Sequence, residues 1–413
     1  MPQSTCSLWR SLRTLVILCL LTRFVNRKPR PTYHPPTRRS IAWRCLAPLA
    51  ILGFFALSLS SLHPTFLHTY PPDSRRAIVS LSTTADRFGP DLDLAIQSLL
   101  LQTVPAAEIR VHMPIGDRPL VMRPGSHPPV AVASDVSVPI DAAYPATMAW
   151  EDSAGFLPSV PPALRASPVK IVFVEDRGPA TKFLYTIHDL LSGPKGADPD
   201  TREQPIIVVD DDIYYPPTML ETLLRAGRRN PVAAIANRGW RVAADLVWNS
   251  GSDDLVWSVA LAREYRVGVI TANSGYLIRP GFFVARDSVG GETVPILAAP
   301  ANVGIASAFL VDDIWISGSL AARGVPRYIV PAPCGDLDIS RVHTLEDRMA
   351  RRGTDRATAN TETLKWFKDA WLGDDVWYNR RLDAADRAAF ASGLTRVARE
   401  VRRWVMWLSI VRS

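Results

Sequence analysis

Cysteine is nearly absent from this chain of 413 residues, and that scarcity excludes whole classes of protein. The four cysteines are Cys6, Cys19, Cys45 and Cys334, so only one thiol lies beyond residue 62. No internal disulfide framework is available there, and positions so scattered do not make a zinc site. No Asn-x-Ser/Thr sequon follows residue 62, lysine is scarce, and no repeat recurs along the chain. No acidic residue precedes Asp73, so the net charge of +7 originates in the tail, where nine Lys and Arg residues lie between Arg10 and Arg44. The remainder is close to neutral. That distribution lacks the diffuse basic footprint of a nucleic-acid binder, and no nucleic-acid partner is expected.

What is present begins with a long apolar composition, nearly half the residues, which suits one large domain with appendages. After the basic tail of residues 1–44, residues 45–62 are uncharged and about as long as a hydrocarbon core requires. The cationic flank comes first, which places the N-terminus in the cytosol. The expectation is a single-pass type II signal anchor, with the rest of the chain in the secretory or Golgi lumen. A cleaved signal peptide fits less well because the apolar run starts far from Met1, and an organellar transit peptide is the other reading of an acid-free, Arg-rich tail. Residues 15–21 are apolar but too short to span. A Pro-rich stem is expected over 63–76, a catalytic domain over 77–345 and a basic helical extension over 346–413.

Within the catalytic domain, strand and helix patterns alternate. Residues 77–81 read as a strand and end in Ser82-Thr83-Thr84-Ala85-Asp86-Arg87. Leu94, Ile96, Leu99, Leu100 and Leu101 mark a helix, and residues 108–113 a second strand. This succession opens a parallel α/β sheet. Residues 114–168, rich in Pro, Ala and Ser, read as an insertion or long loop. Residues 170–174 form a third strand, followed by Gly178-Pro179-Ala180-Thr181-Lys182 and a helix to about Leu191.

The most informative run is Ile206-Ile207-Val208-Val209-Asp210-Asp211-Asp212-Ile213-Tyr214-Tyr215. Four apolar residues form a buried strand, and three carboxylates follow at the strand end, where open α/β sheets bind ligands. In an extended segment Asp210 and Asp212 share one side and Asp211 points away. Adjacent acids repel, and hard oxygen ligands suit Mg²⁺ or Mn²⁺. Pro216-Pro217 then stops strand pairing and opens a helix near Thr218. Asn273-Ser274-Gly275-Tyr276 reads as a turn in which Gly permits close backbone approach. Asp312-Asp313-Ile314-Trp315 is a second acidic pair at a helix start, readable as a cap or as a general base. Lys182 is positioned to meet a phosphate or an Asp. His343, a neutral imidazole in waiting, is a candidate metal ligand. At the C-terminus Arg402, Arg403, Trp404, Trp407 and Ile410 outline an amphipathic helix expected to pack on the domain.

Together these motifs resemble GT-A-fold (DxD-type) glycosyltransferases. They match a family of bacterial, algal and fungal glycosyltransferase-like proteins whose pattern runs Ser-Leu-Thr-Thr, Gly-Pro-x-Thr-Lys, Asp-Asp-Asp-Ile-x-Tyr, Gly-Tyr and Asp-Asp-Ile-Trp. Here these stand at Ser80–Thr84, Gly178–Lys182, Asp210–Tyr215, Gly275-Tyr276 and Asp312–Trp315. More distantly the order resembles the β1,3-galactosyltransferase and fringe group, whose lumenal cysteines this chain lacks. The resemblance implies a Rossmann-like mixed, mostly parallel sheet and an inverting hexosyltransferase that uses a nucleotide-sugar donor, a glycan or glycoconjugate acceptor and Mn²⁺ or Mg²⁺. By position it implies that Thr83, Thr84, Arg87, Asp176 and Lys182 meet the nucleotide or diphosphate, alongside Asp210 and Asp211. Asp210, Asp212 and His343 would hold the metal. Gly275 and Tyr276 would line the sugar and acceptor pocket, and Asp313, with Asp312 as fallback, would be the base.

Two other classes share part of the pattern. A haloacid-dehalogenase-type phosphohydrolase also begins with strand-Asp-x-Asp but needs an intervening Lys, and none occurs between Lys195 and Lys365. A membrane-tethered binding module with a GT-A-like sheet needs no acids at all.

Overall fold

The two short β-branched runs flanking the motifs lie side by side. Ile78–Ser82 (β1) and Ile206–Val208 (β4) pair in parallel, Ile78 opposite Ile206 and Ser80 opposite Val208. On the other side of β1 follow Glu108–Ile115 (β2) and Val169–Glu175 (β3), also parallel. Beyond β4 come Tyr276–Ile278 (β12), Ala234–Ala236 (β6), Arg327–Ile329 (β13) and Tyr265–Arg266 (β10). The sheet therefore has eight strands in the order β10-β13-β6-β12-β4-β1-β2-β3, all running one way except β12 and β10. This is a Rossmann-like α/β sheet, mixed and largely parallel. The computed structural model describes residues 76–84, 87–115, 162–192, 195–248, 254–284, 309–339, 349–350, 354–373, 377–378, 389–390 and 393–410. The expected tail, anchor, nearly all of the stem and most of the insertion lie outside them. Among the described residues no helix is long and apolar enough to cross a membrane.

Alternating side chains divide the core between the two faces of the sheet, as the pleat requires. Val79, Leu81, Ile109, Val111 and Ile207 pack beneath Pro90–Leu100 (α1) and Met219–Arg229 (α4). Ile206, Val208, Ala234, Tyr276 and Ile278 pack on the opposite face with Thr181–Ser192 (α2) and Asp312–Ala321 (α5). Pro90 opens α1 at a position where its missing N–H costs nothing.

Strand and helix ends shift by one to three residues from the sequence reading. β2 continues through Pro114, which the sequence reading placed in the insertion. β2 and β3 pair as far as Ile115 opposite Glu175, whereas β1 ends opposite His112, so the proline lies where β2 has only one neighbour. Residues 276–278 had read as the end of a turn and form instead the reversed strand at the sheet centre. Three residues are too few for a periodic signal. The stretch to Arg266, mixed in the sequence, holds Arg238–Trp240 (β7), Val242–Ala243 (β8) and Leu255–Trp257 (β9), with β7 between β9 and Val269–Ile270 (β11).

The described C-terminal residues belong to the same compact unit as the sheet. Arg356–Trp366 (α6) and Lys368–Gly373 (α7) build a third apolar cluster against α5, with Trp315 and Trp371 both edge-on to Phe367. Gly318 of α5 faces the Phe367 ring so closely that a methyl there would strike it. Gly318→Ala is therefore expected to destabilise the protein by roughly 1–3 kcal/mol, the usual overpacking cost. Thermal unfolding measures it, and Gly318→Ala with Phe367→Leu should show a favourable coupling if the ring is the cause. Gly393–Ile410 (α8) meets the domain through arginines: Arg399 donates to the carbonyls of Val259 and Leu261 (both 2.8 Å) and Arg403 to that of Asp336 (2.7 Å), while the side chains of Trp404, Trp407 and Ile410 lie outside the described residues.

Candidate active site

All the motifs reach the carboxyl edge of the parallel strands. β1 delivers Thr83, Thr84 and Arg87, β3 delivers Asp176, and β4 delivers the three acids. The reversed strand β12 starts at that edge, which brings the turn before it to the same place. Gly275 occupies that turn with φ +83°, a conformation glycine adopts without strain.

The acids do not alternate as an extended strand would place them. β4 stops at Val208, and Asp211 and Asp212 lie in a turn before Ile213–Tyr214 (β5). Backbone reversal cancels the period-two argument, so Asp211 and Asp212 face one partner and Asp210 another. Arg87 takes the first pair, Nη1 2.9 Å from Asp211 Oδ1 and Nη2 2.6 Å from Asp212 Oδ2. Lys182 takes Asp210, Nζ 2.5 Å from Oδ1, and also stands 2.9 Å from Asp312 Oδ2. The strand-end acids and the helix-start acids, about a hundred residues apart, are thus joined through one ammonium.

Neither acid of the second pair is the helix cap. Val311 occupies the cap position, and Asp312 and Asp313 are the first two residues of α5. Asp313 Oδ1 instead accepts from the Ala272 N–H at 3.1 Å, which ties α5 to the turn before β12. Tyr276 is 0 % exposed, buried in the sheet rather than on the surface of the cleft, and its hydroxyl is without a hydrogen-bond partner. Burial, then the nearby Asp312 and Asp313, raise its pKa well above the usual tyrosine value.

Further side chains hold this arrangement, some inside the motifs (Ser80, Tyr215, Ser274) and some outside them. The Asp210 N–H donates to the Tyr215 hydroxyl (2.8 Å), which donates to the Asp210 carbonyl (3.1 Å), clamping the acid turn from below. Ser80 donates to the Lys182 carbonyl (2.5 Å) and meets the Thr186 hydroxyl (2.7 Å), which also meets His112 Nε2 (2.9 Å). Burial, with a smaller push from Arg110, lowers the pKa of His112 to about 3, so this imidazole is a neutral strut. Ser274 donates to Asp336 (3.0 Å), and Ile339 N–H donates to the Asp212 carbonyl (3.0 Å). Thr186, His112 and Asp336 lie outside the motifs, and only the fold brings them to these partners.

The electrostatics follow from five carboxylates around two ion-paired cations. Burial pulls the Lys182 pKa down, but Asp210, Asp312 and Asp313 raise it by more, well above the ordinary lysine value. Burial, then Asp210 and Asp211, push Asp212 up to about 6 against the pull of Arg87. Burial and Asp312 push Asp313 up to about 8 against Lys182. Asp211, 4 % exposed, is raised chiefly by burial, and its Oδ2 has no hydrogen-bond partner.

Excess negative charge and an orphaned carboxylate oxygen fit a divalent cation. Among the described residues no three His, Cys, Asp or Glu side chains converge as ligands. His343 lies outside the described residues. Asp176 accepts from the Gly178 N–H (2.8 Å) and stabilises the turn into α2, and no contact joins it to the acids.

Comparison with known proteins adds little. No protein-family model matches the chain, and no curated protein matches it. Seventy-two solved chains match in structure. One is 4-diphosphocytidyl-2C-methyl-D-erythritol synthase, 13% identical, covering 67% of this chain and 98% of its own, with a TM-score of 0.32. A likeness that slight carries no argument about chemistry, and it does not point to the fringe group.

Proposed function

We propose that this chain is a GT-A-type glycosyltransferase that moves a sugar from a nucleoside-diphosphate sugar to a hydroxyl of a glycan or glycoconjugate, with inversion and with the help of Mn²⁺ or Mg²⁺. The observation that carries the reading is the convergence of Asp210 and Asp312 on the buried Lys182 at the carboxyl edge of the sheet. A metal-binding acid turn and a basic carboxylate are thereby held at one locus, as donor and acceptor chemistry require. The membrane anchor and the lumenal setting belong to the same proposal and rest on residues 1–62.

Asp210 and Asp212 would hold the cation, joined by His343 on the sequence pattern. When bound, the cation supplies Lewis-acid stabilisation of charge on the departing diphosphate. Thr83, Thr84 and Arg87, at the end of β1, flank the acid turn on the side where the nucleotide would lie. Lys182 keeps Asp210 and Asp312 fixed relative to each other. Asp313, whose raised pKa makes it a stronger base than a free carboxylate, takes the proton of the incoming hydroxyl. Positioning and preorganised charge supply the remainder of the catalysis.

Residues 71–413, incubated with a panel of nucleotide sugars with and without Mn²⁺, should release nucleoside diphosphate from one donor only when metal is present. Asp212→Ala should lower that release by at least a hundredfold while the protein stays folded by circular dichroism. Absence of both turnover and nucleotide binding in the folded wild type would sink the assignment and favour a binding module.

A further inference from the structure

We propose that Arg87 is the counter-ion of the acid turn, and that its guanidinium and a divalent cation compete for Asp212. The idea rests on the metal-dependent reading above.

The two arms of Arg87 are not equivalent. Nη1 meets Asp211, which is 4 % exposed, whereas Nη2 meets Asp212, whose side chain is 32 % exposed. The Asp211 arm sits in a poorly solvated site where the carboxylate has no other cation paired with it. Breaking that contact would leave a buried charge uncompensated. The Asp212 arm faces water, where an ion pair is weak and replaceable. Arg87 itself is 23 % exposed on its side chain, so the guanidinium has room to turn about the Asp211 contact.

Charge decides the rest. A guanidinium 2.6 Å from Asp212 Oδ2 and a divalent cation on the same carboxylate repel each other across a few ångströms. Binding of one lowers the affinity for the other by the same factor, as linkage demands. With a cation on Asp212, Arg87 would keep Asp211 and its second arm would be freed. Lys182 cannot play this part, because it is shared with Asp312 from another element and is the more deeply buried of the two cations.

Mn²⁺ binding without nucleotide, followed by the paramagnetic resonance of the free ion, tests the competition. Arg87→Gln should bind Mn²⁺ about tenfold more tightly than wild type, even though it loses thermal stability without metal. Equal or weaker binding by Arg87→Gln overturns the competition and leaves the metal reading standing. Absence of Mn²⁺ binding in both proteins overturns both. Because the variant is exposed to misfolding at Asp211, a second measurement uses the wild type alone. Modification of Arg87 by phenylglyoxal, mapped by mass spectrometry, should rise severalfold when Mn²⁺ is added, and an unchanged or falling rate overturns the proposal.

Discussion

Lys182→Met is expected to cost roughly 3–5 kcal/mol of stability and to abolish turnover. The ammonium is buried and is the shared partner of Asp210 and Asp312. Removing one member of such a cluster leaves two carboxylates facing each other without compensation, the situation in which buried ion pairs show their largest mutational effects. The methionine keeps the stem's volume, so the loss reports charge rather than a cavity. Its pH dependence separates the two. Lys182 has a folded pKa above the unfolded value of 10.5, so its own contribution is complete below that pH and disappears only at higher pH. The carboxylates left without the ammonium take up protons more readily, so the deficit of the variant should be largest at high pH and narrow as pH falls from about 8 toward 4. Thermal unfolding of both proteins from pH 4 to 9 measures this. A deficit that stays constant down to pH 4 would mean that packing, not charge, was lost.

Asp313→Asn should lower the turnover number by two to four orders of magnitude while nucleotide-sugar binding survives. With its pKa pushed up to about 8, Asp313 is largely protonated at neutral pH in the free protein. A base with that value gives a rate that climbs with pH and levels off above about 8, and the asparagine variant should lose the climb. Stability moves the other way. An acid whose folded pKa stands above its unfolded value of 3.8 keeps its proton longer in the native state. The stability it confers is full at low pH and declines as pH rises from about 4 to about 8. Asparagine removes that decline and can still accept from the Ala272 N–H. The variant should match wild type near pH 4 and exceed it at pH 8 by on the order of 1 kcal/mol, discounted because the side chain is partly exposed. An enzyme less active but more stable at pH 8 is the signature of a strained functional acid. Unchanged turnover would shift the base to Asp312.

The sequence by itself determined the order of elements and the identity of the charged groups. The run from Ile206 to Val209 had to be an interior strand, because four consecutive β-branched apolar residues leave no polar face. Acids placed directly after such a strand had to emerge at its carboxyl end, and so did Arg87 after β1. These are local properties, and local periodicity reports them.

Only the tertiary structure decided which groups meet. The pairing of Lys182 with both Asp210 and Asp312 spans 28 residues to the first and far more to the second, and no spacing rule reaches that far. Strand order, set by how two helical faces cover one sheet, put β4 between β1 and the reversed β12 and so closed the cluster. The turn at Asp211–Asp212 annulled the alternation expected of a strand and gave both acids to Arg87. Tyr276, placed by its motif in a pocket, was drawn instead into the sheet, because a three-residue strand between two neighbours buries whatever lies in it. Thr186 and His112 carry no local signature, since a buried hydroxyl or imidazole becomes a support only when a partner from another element satisfies it.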